Sequence, residues 1–299
     1  MSTMVETLST DLAELVERTD PGVVRVEGRR RLAGSGVVWS QGGAIVTAHH
    51  VLERDHDLQV GLHDGTKVAA ELIGRDPTTD LAVLKPAGNL DSDIRWDAGE
   101  RLQVGHLVMA LGRPRQRVQA TLGIVSALGE AWRTPMGGQV DRYMQTDVVM
   151  YPGFSGGPLV GASGTVLGMN TSALLRGVSL TLPLVTVQRV VGQLLEHGSV
   201  RRGYLGVAAQ PVELPGRVAD ELVQSAGLLL VTVEPDSPAE AAGLAMGDTI
   251  VAAGGEPTQR LRDLLSALEV DQVGKELELK LLRAGELTSR TVTVGERPE

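Results

Sequence analysis

The sequence predicts a mainly β protein in two units, an all-β barrel or sandwich followed by a smaller α+β module. Three observations lead there. Between Val23 and about Leu182, short apolar runs recur at even spacing, separated by Gly- and Pro-rich turns, the pattern of closed or packed β-sheets. Helical stripes do not alternate with those runs, as a βαβ architecture would require. Near Val200 the pattern changes, and strand-like runs enclose two short helical stripes. The length of 299 residues accommodates two domains, since one domain is typically ~100–200 residues.

An opening helix is expected over residues 9–18. Ser9 and Thr10 offer N-caps, Asp11 and Glu14 suit its first turn, and Asp20-Pro21-Gly22 stops it. Residues 36–39, 44–47, 58–62, 81–84, 107–111, 123–127 and 165–169 read as strands. After Pro183 comes a helix with Val187, Val190, Val191, Leu194 and Leu195 on one stripe and Gly198 as its C-cap. In the second unit, Ser237-Pro238-Ala239-Glu240 is a capping box with Pro at the first helical position, ending at Gly243. A further helix is expected over 258–268, with Leu261, Leu264, Leu265 and Leu268 aligned. Strands are expected around them at 228–233, 249–253, 277–282 and 290–294.

Composition narrows the function classes. Lys and Arg number 28 against 37 Asp and Glu, a net charge of -9. That balance disfavours nucleic acid and anionic membranes, which need an excess of cations. Three Trp, three Tyr and one Phe leave little material for base stacking. Without cysteine there is no disulfide framework, thiolate nucleophile or Cys-rich zinc site. Residues 1–14 lack a basic stretch followed by an apolar one, so no signal peptide is expected. No window approaches the ~20 apolar residues of a membrane span. A cytoplasmic location is expected, or a periplasmic or extracytoplasmic one if a leader has been removed.

The chemistry concentrates in 147–160. Ser155 is flanked by Gly153, Gly156 and Gly157, where the backbone must bend sharply and its amides must stay unobstructed. Acyl transfer needs both an exposed hydroxyl and N–H donors aimed at a developing oxyanion. A Gly-rich turn with a solvent-facing serine has the same composition, so the serine needs a base. Residues 44–52 supply His49 and His50 at the end of an apolar run, and Asp80 opens the run 81–84. The order His, Asp, Ser is that of the chymotrypsin type of triad. His49, His50, Glu53 and His56 lack the His-Glu-x-x-His spacing of a zinc site; no metal and no cofactor are expected.

Thr47-Ala48-His49-His50-Val51, the run Asp76-Pro77-Thr78-Thr79-Asp80-Leu81, and Gly153-Phe154-Ser155-Gly156-Gly157-Pro158 resemble the three triad motifs of the HtrA (DegP-like) serine proteases. Gly34-Ser35-Gly36-Val37-Val38 and 123–129 resemble barrel segments of that family. Gly203-Tyr204-Leu205-Gly206-Val207 and 236–248 resemble its PDZ domain. The resemblance implies a chymotrypsin-like double β-barrel over 1–199 and a PDZ domain over 200–299. It implies His50 as general base, because the motif places the base directly before the Val. It further implies Asp80 as orienting acid and Ser155 as nucleophile. The oxyanion hole falls on Gly153, Phe154 and Ser155, with the donors on Gly153 and Ser155, and peptide carboxylates fall to Tyr204, Leu205, Gly206 and Val207. The implied activity is ATP-independent endoproteolysis of unfolded or misfolded chains, with C-terminal peptides as PDZ partners and a homo-oligomer, the trimer, as assembly. A chaperone or scaffold with an idle triad is the alternative.

The same resemblance places the P1 pocket at Val149 and at Ser179, Leu180 and Thr181. No acid stands there, so a cationic P1 side chain would be buried without a partner. Cleavage after Val, Ala, Ile and Leu is expected.

Overall fold

The computed structural model describes residues 3–30, 32–39, 43–90, 92–97, 102–175, 177–201, 203–268 and 272–296. The chain divides into two compact units, Met1–Val200 and Arg201–Glu299.

The first unit opens with helix α1, Met4–Thr19. It starts earlier than expected because Thr3 and Glu6 form a capping box, each side chain bonding the other's backbone amide. Thr10, expected as a cap, instead donates its hydroxyl to Glu6 O within the helix.

Six strands then close a first barrel: β1 (Val23–Glu27), β2 (Gly34–Val38), β3 (Ile45–Ala48), β4 (Leu58–Gly61), β5 (Lys67–Asp76) and β6 (Leu81–Pro86), in the order β1-β2-β3-β6-β5-β4. Strands β3 and β6 are buried almost throughout, which explains why 44–47 and 81–84 read as continuous apolar runs rather than alternating ones.

The remaining strands of this unit are β7 (Arg95–Trp96), β8 (Leu107–Gly112), β9 (Gln119–Gly129), β10 (Trp132–Arg133), β11 (Gln139–Val140), β12 (Tyr143–Thr146), β13 (Pro158–Gly161), β14 (Thr165–Thr171) and β15 (Leu180–Pro183). The path β13-β8-β9-β12-β15-β14 returns on itself through the β13–β14 pairing, so a second six-stranded barrel closes; β7 adds to β14, and β10 pairs with β11. Its core includes Val108, Val125, Met144, Phe154 and Leu159. Helix α2 (Leu184–His197) packs on β5, β6 and β14 through Val187, Val190, Val191 and Leu194. Each of these fully buried side chains contributes about 1.5–3 kcal/mol. Gly198 ends the helix at φ +75°, a conformation glycine adopts without a Cβ penalty.

The second unit holds β16 (Gly203–Tyr204), β17 (Val207–Glu213), β18 (Ala226–Val233), β19 (Thr249–Ala253), β20 (Glu256–Pro257), β21 (Glu276–Arg283), β22 (Glu286–Thr293) and β23 (Gly295–Glu296), with helices α3 (Gly216–Leu222), α4 (Pro238–Ala241) and α5 (Leu261–Ser266). Its main sheet runs β17-β18-β19-β21-β22, and among the described residues one edge of β17 has no strand neighbour. Helix α4 is capped by Ser237, whose hydroxyl accepts from Glu240 N. Helix α5 is shorter than the stripe 258–268 because Asp263 bonds the amides of Gln259 and Arg260, fixing the start after Arg260.

Candidate active site

The pairing of β3 with β6 begins the site. Its last register pair, Ala48 with Leu81, is extended one step by His49 N donating to Asp80 O at 3.0 Å. The chain then enters a 3₁₀ turn, His49–Val51. Both histidines therefore sit on a turn rather than a strand, and the turn's three-residue period, not strand alternation, separates their side chains.

Asp80 has φ +59°, a left-handed conformation that Asp tolerates better than most residues. The turn before it is shaped by Asp76, which accepts from Thr78 N at 3.0 Å, Thr78 Oγ1 at 2.8 Å and Thr79 Oγ1 at 2.7 Å. The Asp80 side chain is 3% exposed and that of His50 27%. Asp80 Oδ1 accepts from His50 N at 2.9 Å, and His50 Nδ1 lies 2.8 Å from Oδ2 and 3.0 Å from Oδ1. Thr171 Oγ1 donates to Oδ2 from the end of β14. A buried carboxylate at Nδ1 holds the neutral ring in its Nδ1–H tautomer and leaves Nε2 able to accept a proton. His49 is placed differently. Among the described residues its buried Nδ1 has no hydrogen-bond partner, and burial, then the nearby Arg75 charge, hold its pKa below the ordinary histidine value.

Two consecutive turns present Ser155. Phe154 N donates to Tyr151 O at 3.0 Å with Gly153 at φ +92°, and Gly157 N donates to Phe154 O at 2.9 Å with Gly156 at φ +88°. Both turns need positive φ at their third residue, a type II requirement that glycine meets. The positions also exclude a side chain by contact: a Cβ on Gly156 would stand 2.0 Å from Ser35 O. Ser35 ties this loop to the first barrel. Its N donates to Ser155 O at 3.0 Å and its hydroxyl to Gly153 O at 2.6 Å, while accepting from Arg113 N at 2.7 Å. Phe154 is fully buried, edge-on to Tyr151 at 5.7 Å between ring centres. With its N–H used in the first turn, it anchors the loop from within the second barrel's core. Among the described residues, the amides of Gly153 and Ser155 have no protein partner, which is the state an oxyanion donor requires. The Ser155 hydroxyl bonds Ser172 Oγ at 3.0 Å rather than His50 Nε2.

The other predicted residues fall as follows. Val149 is 54% exposed, Ser179 Oγ donates to Val148 O at 3.1 Å, Leu180 lies in the core, and Thr181 Oγ1 donates to Asn170 Oδ1 at 2.9 Å. In the second unit, Leu205 O accepts from Ala239 N at 2.9 Å and Gly206 O from Glu234 N at 2.8 Å. Among the described residues, the amides of Leu205 and Gly206 have no partner. Tyr204 Oη donates to Glu234, Gly206 has φ +79°, and Val207 opens β17. Sequence reasoning missed Ser35, Thr171 and Ser172. One available signal was the polar run Asn170-Thr171-Ser172 directly after an apolar strand, with Asn170 and Thr171 fully buried.

Residues 34–169 match the trypsin-like peptidase domain family and residues 203–294 the PDZ domain family. A probable periplasmic serine endoprotease, DegP-like, of Chlamydia trachomatis is 35% identical over 280 residues, covering 92% of this chain and 56% of the relative. The chain thus spans little more than half the length of that curated relative. The crystal structure of the serine endoprotease from Yersinia pestis is similar at TM-score 0.78 and 30% identity, covering 96% of this chain and 98% of that one. The HtrA-type protease AlgW with decapeptide is similar at TM-score 0.78 and 28% identity, covering 96% and 99%. The periplasmic naming of the relative overturns the expectation of a cytoplasmic location. Among the described residues, no helix is long and apolar enough to cross a membrane. With a trypsin-like peptidase match ahead of a PDZ match and near-complete structural overlap with such enzymes, the chain belongs to the HtrA (DegP-like) serine protease family.

Proposed function

We propose that this chain is an ATP-independent serine endopeptidase acting on unfolded polypeptide through an acyl-enzyme. Ser155 Oγ attacks the scissile carbonyl carbon while His50 Nε2 takes its proton, and Asp80 stabilises the resulting imidazolium. The N–H groups of Gly153 and Ser155 hold the oxyanion, each such donor being worth about 10²–10³ in turnover. His50 then gives the proton to the leaving amine, and water activated by the same ring releases the acyl group. The observation that carries this reading is the bonding of Asp80 to both Nδ1 and the amide of His50, beside the amides of Gly153 and Ser155, which have no partner among the described residues.

Substrate choice follows from what the pocket residues lack. No carboxylate stands at Val149, Ser179, Leu180 or Thr181, so cleavage falls after Val, Ala, Ile and Leu, with a soft preference among them. Peptide C-termini bind the second unit by strand addition along the open edge of β17, beside α5, with the terminal carboxylate received by the amides of the 204–207 loop. That AlgW was solved with a decapeptide supports this part.

Hydrolysis of unfolded casein, with mass-spectrometric mapping of the cuts, tests both statements. Wild type should degrade casein and react with a fluorophosphonate, and Ser155→Ala should do neither. Degradation by the Ser155→Ala protein would remove the nucleophile assignment, and a majority of cuts after Lys or Arg would remove the pocket.

A further inference from the structure

A cleft of about 580 Å³ lies where β1 and the β4–β5 turn meet the loop between β8 and β9. Arg25, Lys67, Arg115 and Arg117 line it, together with the buried Arg113. In a chain of net charge -9, this is a local reversal of sign. Three acids lie nearby, and Asp64 on the β4–β5 turn accepts from Thr66 N at 2.8 Å. Glu27 pairs with Arg25 at 3.1 Å and Lys67 at 2.9 Å, and Asp20 pairs with Arg113. Arg115 and Arg117 are exposed, and among the described residues no ion pair includes them.

The loop that presents them is set by its own first residue. The Arg113 guanidinium donates to Val23 O at 2.6 Å, Gln116 O at 2.6 Å and Asp20 O at 3.0 Å. Cations on a pre-set backbone bind with a smaller ordering cost than cations on a loose loop. The same loop abuts the oxyanion loop. A Cβ on Gly153 would stand 2.5 Å from Pro114 Cβ, and Arg113 N reaches Gly153 O through the Ser35 hydroxyl. Pro114 thus brings the cationic loop against Gly153, two residues before the nucleophile.

We propose that this cleft binds an acidic segment of the polypeptide substrate where it passes the oxyanion loop, an assignment that rests on the endopeptidase reading above. A cationic cleft focuses field lines and concentrates acidic chains near the nucleophile even when the whole protein is anionic. Polypeptide fits better than nucleic acid, because no aromatic residue lines the cleft for base stacking and the net negative charge repels a long polyanion.

The test is binding to the full chain carrying Ser155→Ala, read by fluorescence anisotropy. Two labelled, C-terminally amidated peptides share an aliphatic centre; Asp and Glu flank it in one, Ser and Gln in the other. The acidic peptide should bind roughly 3- to 30-fold more tightly, as expected for two or so exposed ion pairs. The advantage should shrink as salt is raised. R115A/R117A on the same background should abolish it, and R115E/R117E should invert it, with melting curves verifying that both variants fold. No preference in the starting protein, or a preference unchanged in both variants, would overturn the proposal. Displacement of the acidic peptide by a single-stranded oligonucleotide of equal affinity would overturn the choice of polypeptide. Because binding needs no hydrolysis, the two readings separate. A preserved preference with no casein hydrolysis removes the protease, and intact hydrolysis with no preference removes the cleft.

Discussion

Asp80 and His50, both carried by the first barrel, are joined at ring and backbone, whereas Ser155, carried by the second, directs its hydroxyl to Ser172. The backbone is held equally well in both halves. Ser35 and Asn170 fix the oxyanion loop, with Gly156 N donating to Asn170 O and Asn170 N to Gly157 O, each at 2.9 Å, as firmly as Asp76 fixes the turn before Asp80. Only the hydroxyl differs. A histidine in the wrong tautomer has no basic nitrogen facing the substrate, so its orientation must be set in advance. A serine hydroxyl needs one rotation between staggered wells, and exchanging one neutral hydrogen bond for another changes the energy by about 1 kcal/mol. Rigidity is therefore concentrated where a misplacement would be most damaging.

The largest expected effect tests the acid–base half. His50→Ala should lower kcat/KM for an unfolded substrate by about 10⁴–10⁶, because triad members act as a unit. His49→Ala should stay within about tenfold of wild type, since His49 bonds Asp80 through its backbone amide alone. If His49→Ala were the inactive variant and His50→Ala kept most of its activity, the base has been assigned to the wrong histidine.

A smaller effect separates two adjacent hydroxyls. Thr171 bonds the Asp80 carboxylate and Ser172 bonds the nucleophile. A hydrogen bond to a buried charge contributes about 1.5–3 kcal/mol, so Thr171→Ala should lower kcat by roughly 10- to 100-fold with little change in KM. Thr171→Ser should restore it, because the hydroxyl survives. Ser172→Ala should leave kcat within about threefold, as only a resting contact is lost. A Thr171→Ser protein as slow as Thr171→Ala would show that the methyl packing, not the hydroxyl, positions Asp80.

How much of this was legible in the sequence depended on the kind of signal. The glycines around Ser155 could be read because positive φ and close backbone approach admit few alternatives. The β3 and β6 strands, buried almost throughout, stand out as apolar runs. Ser9 and Thr10 read as caps because Ser and Thr are cap residues, but the Thr3–Glu6 reciprocal bonds start helix α1 earlier. The central residues of β5 alternate weakly and β12 is only four residues long, so neither carries a strong local pattern. Ser35 was legible only as part of a strand motif. Its role joins residues more than a hundred positions apart, which no local pattern encodes. Thr171 is the same case, since a buried threonine in a strand is ordinary until Asp80 is placed beside it.

The smallest expected effect concerns the histidine that the triad does not use. His49 is partly buried, its Nδ1 has no partner among the described residues, and burial followed by Arg75 lowers its pKa from the usual 6.5. At pH values below 6.5 the unfolded chain therefore binds a proton at this position more readily than the folded chain does. Protons bound preferentially by the unfolded state make stability rise with pH, so this contribution is complete above about pH 6.5 and is lost as the pH falls below that value and through the lowered pKa of the folded chain. His49→Ala deletes the titrating ring while leaving the His50–Asp80 pair in place. Thermal melting of wild type and variant across pH 7.5 to 5 should give a shallower decline of Tm in the variant, a change smaller than either kinetic effect above. Parallel declines in the two proteins would mean that His49 is protonated alike in the folded and unfolded chains, and that its burial near Arg75 does not disfavour the charged ring.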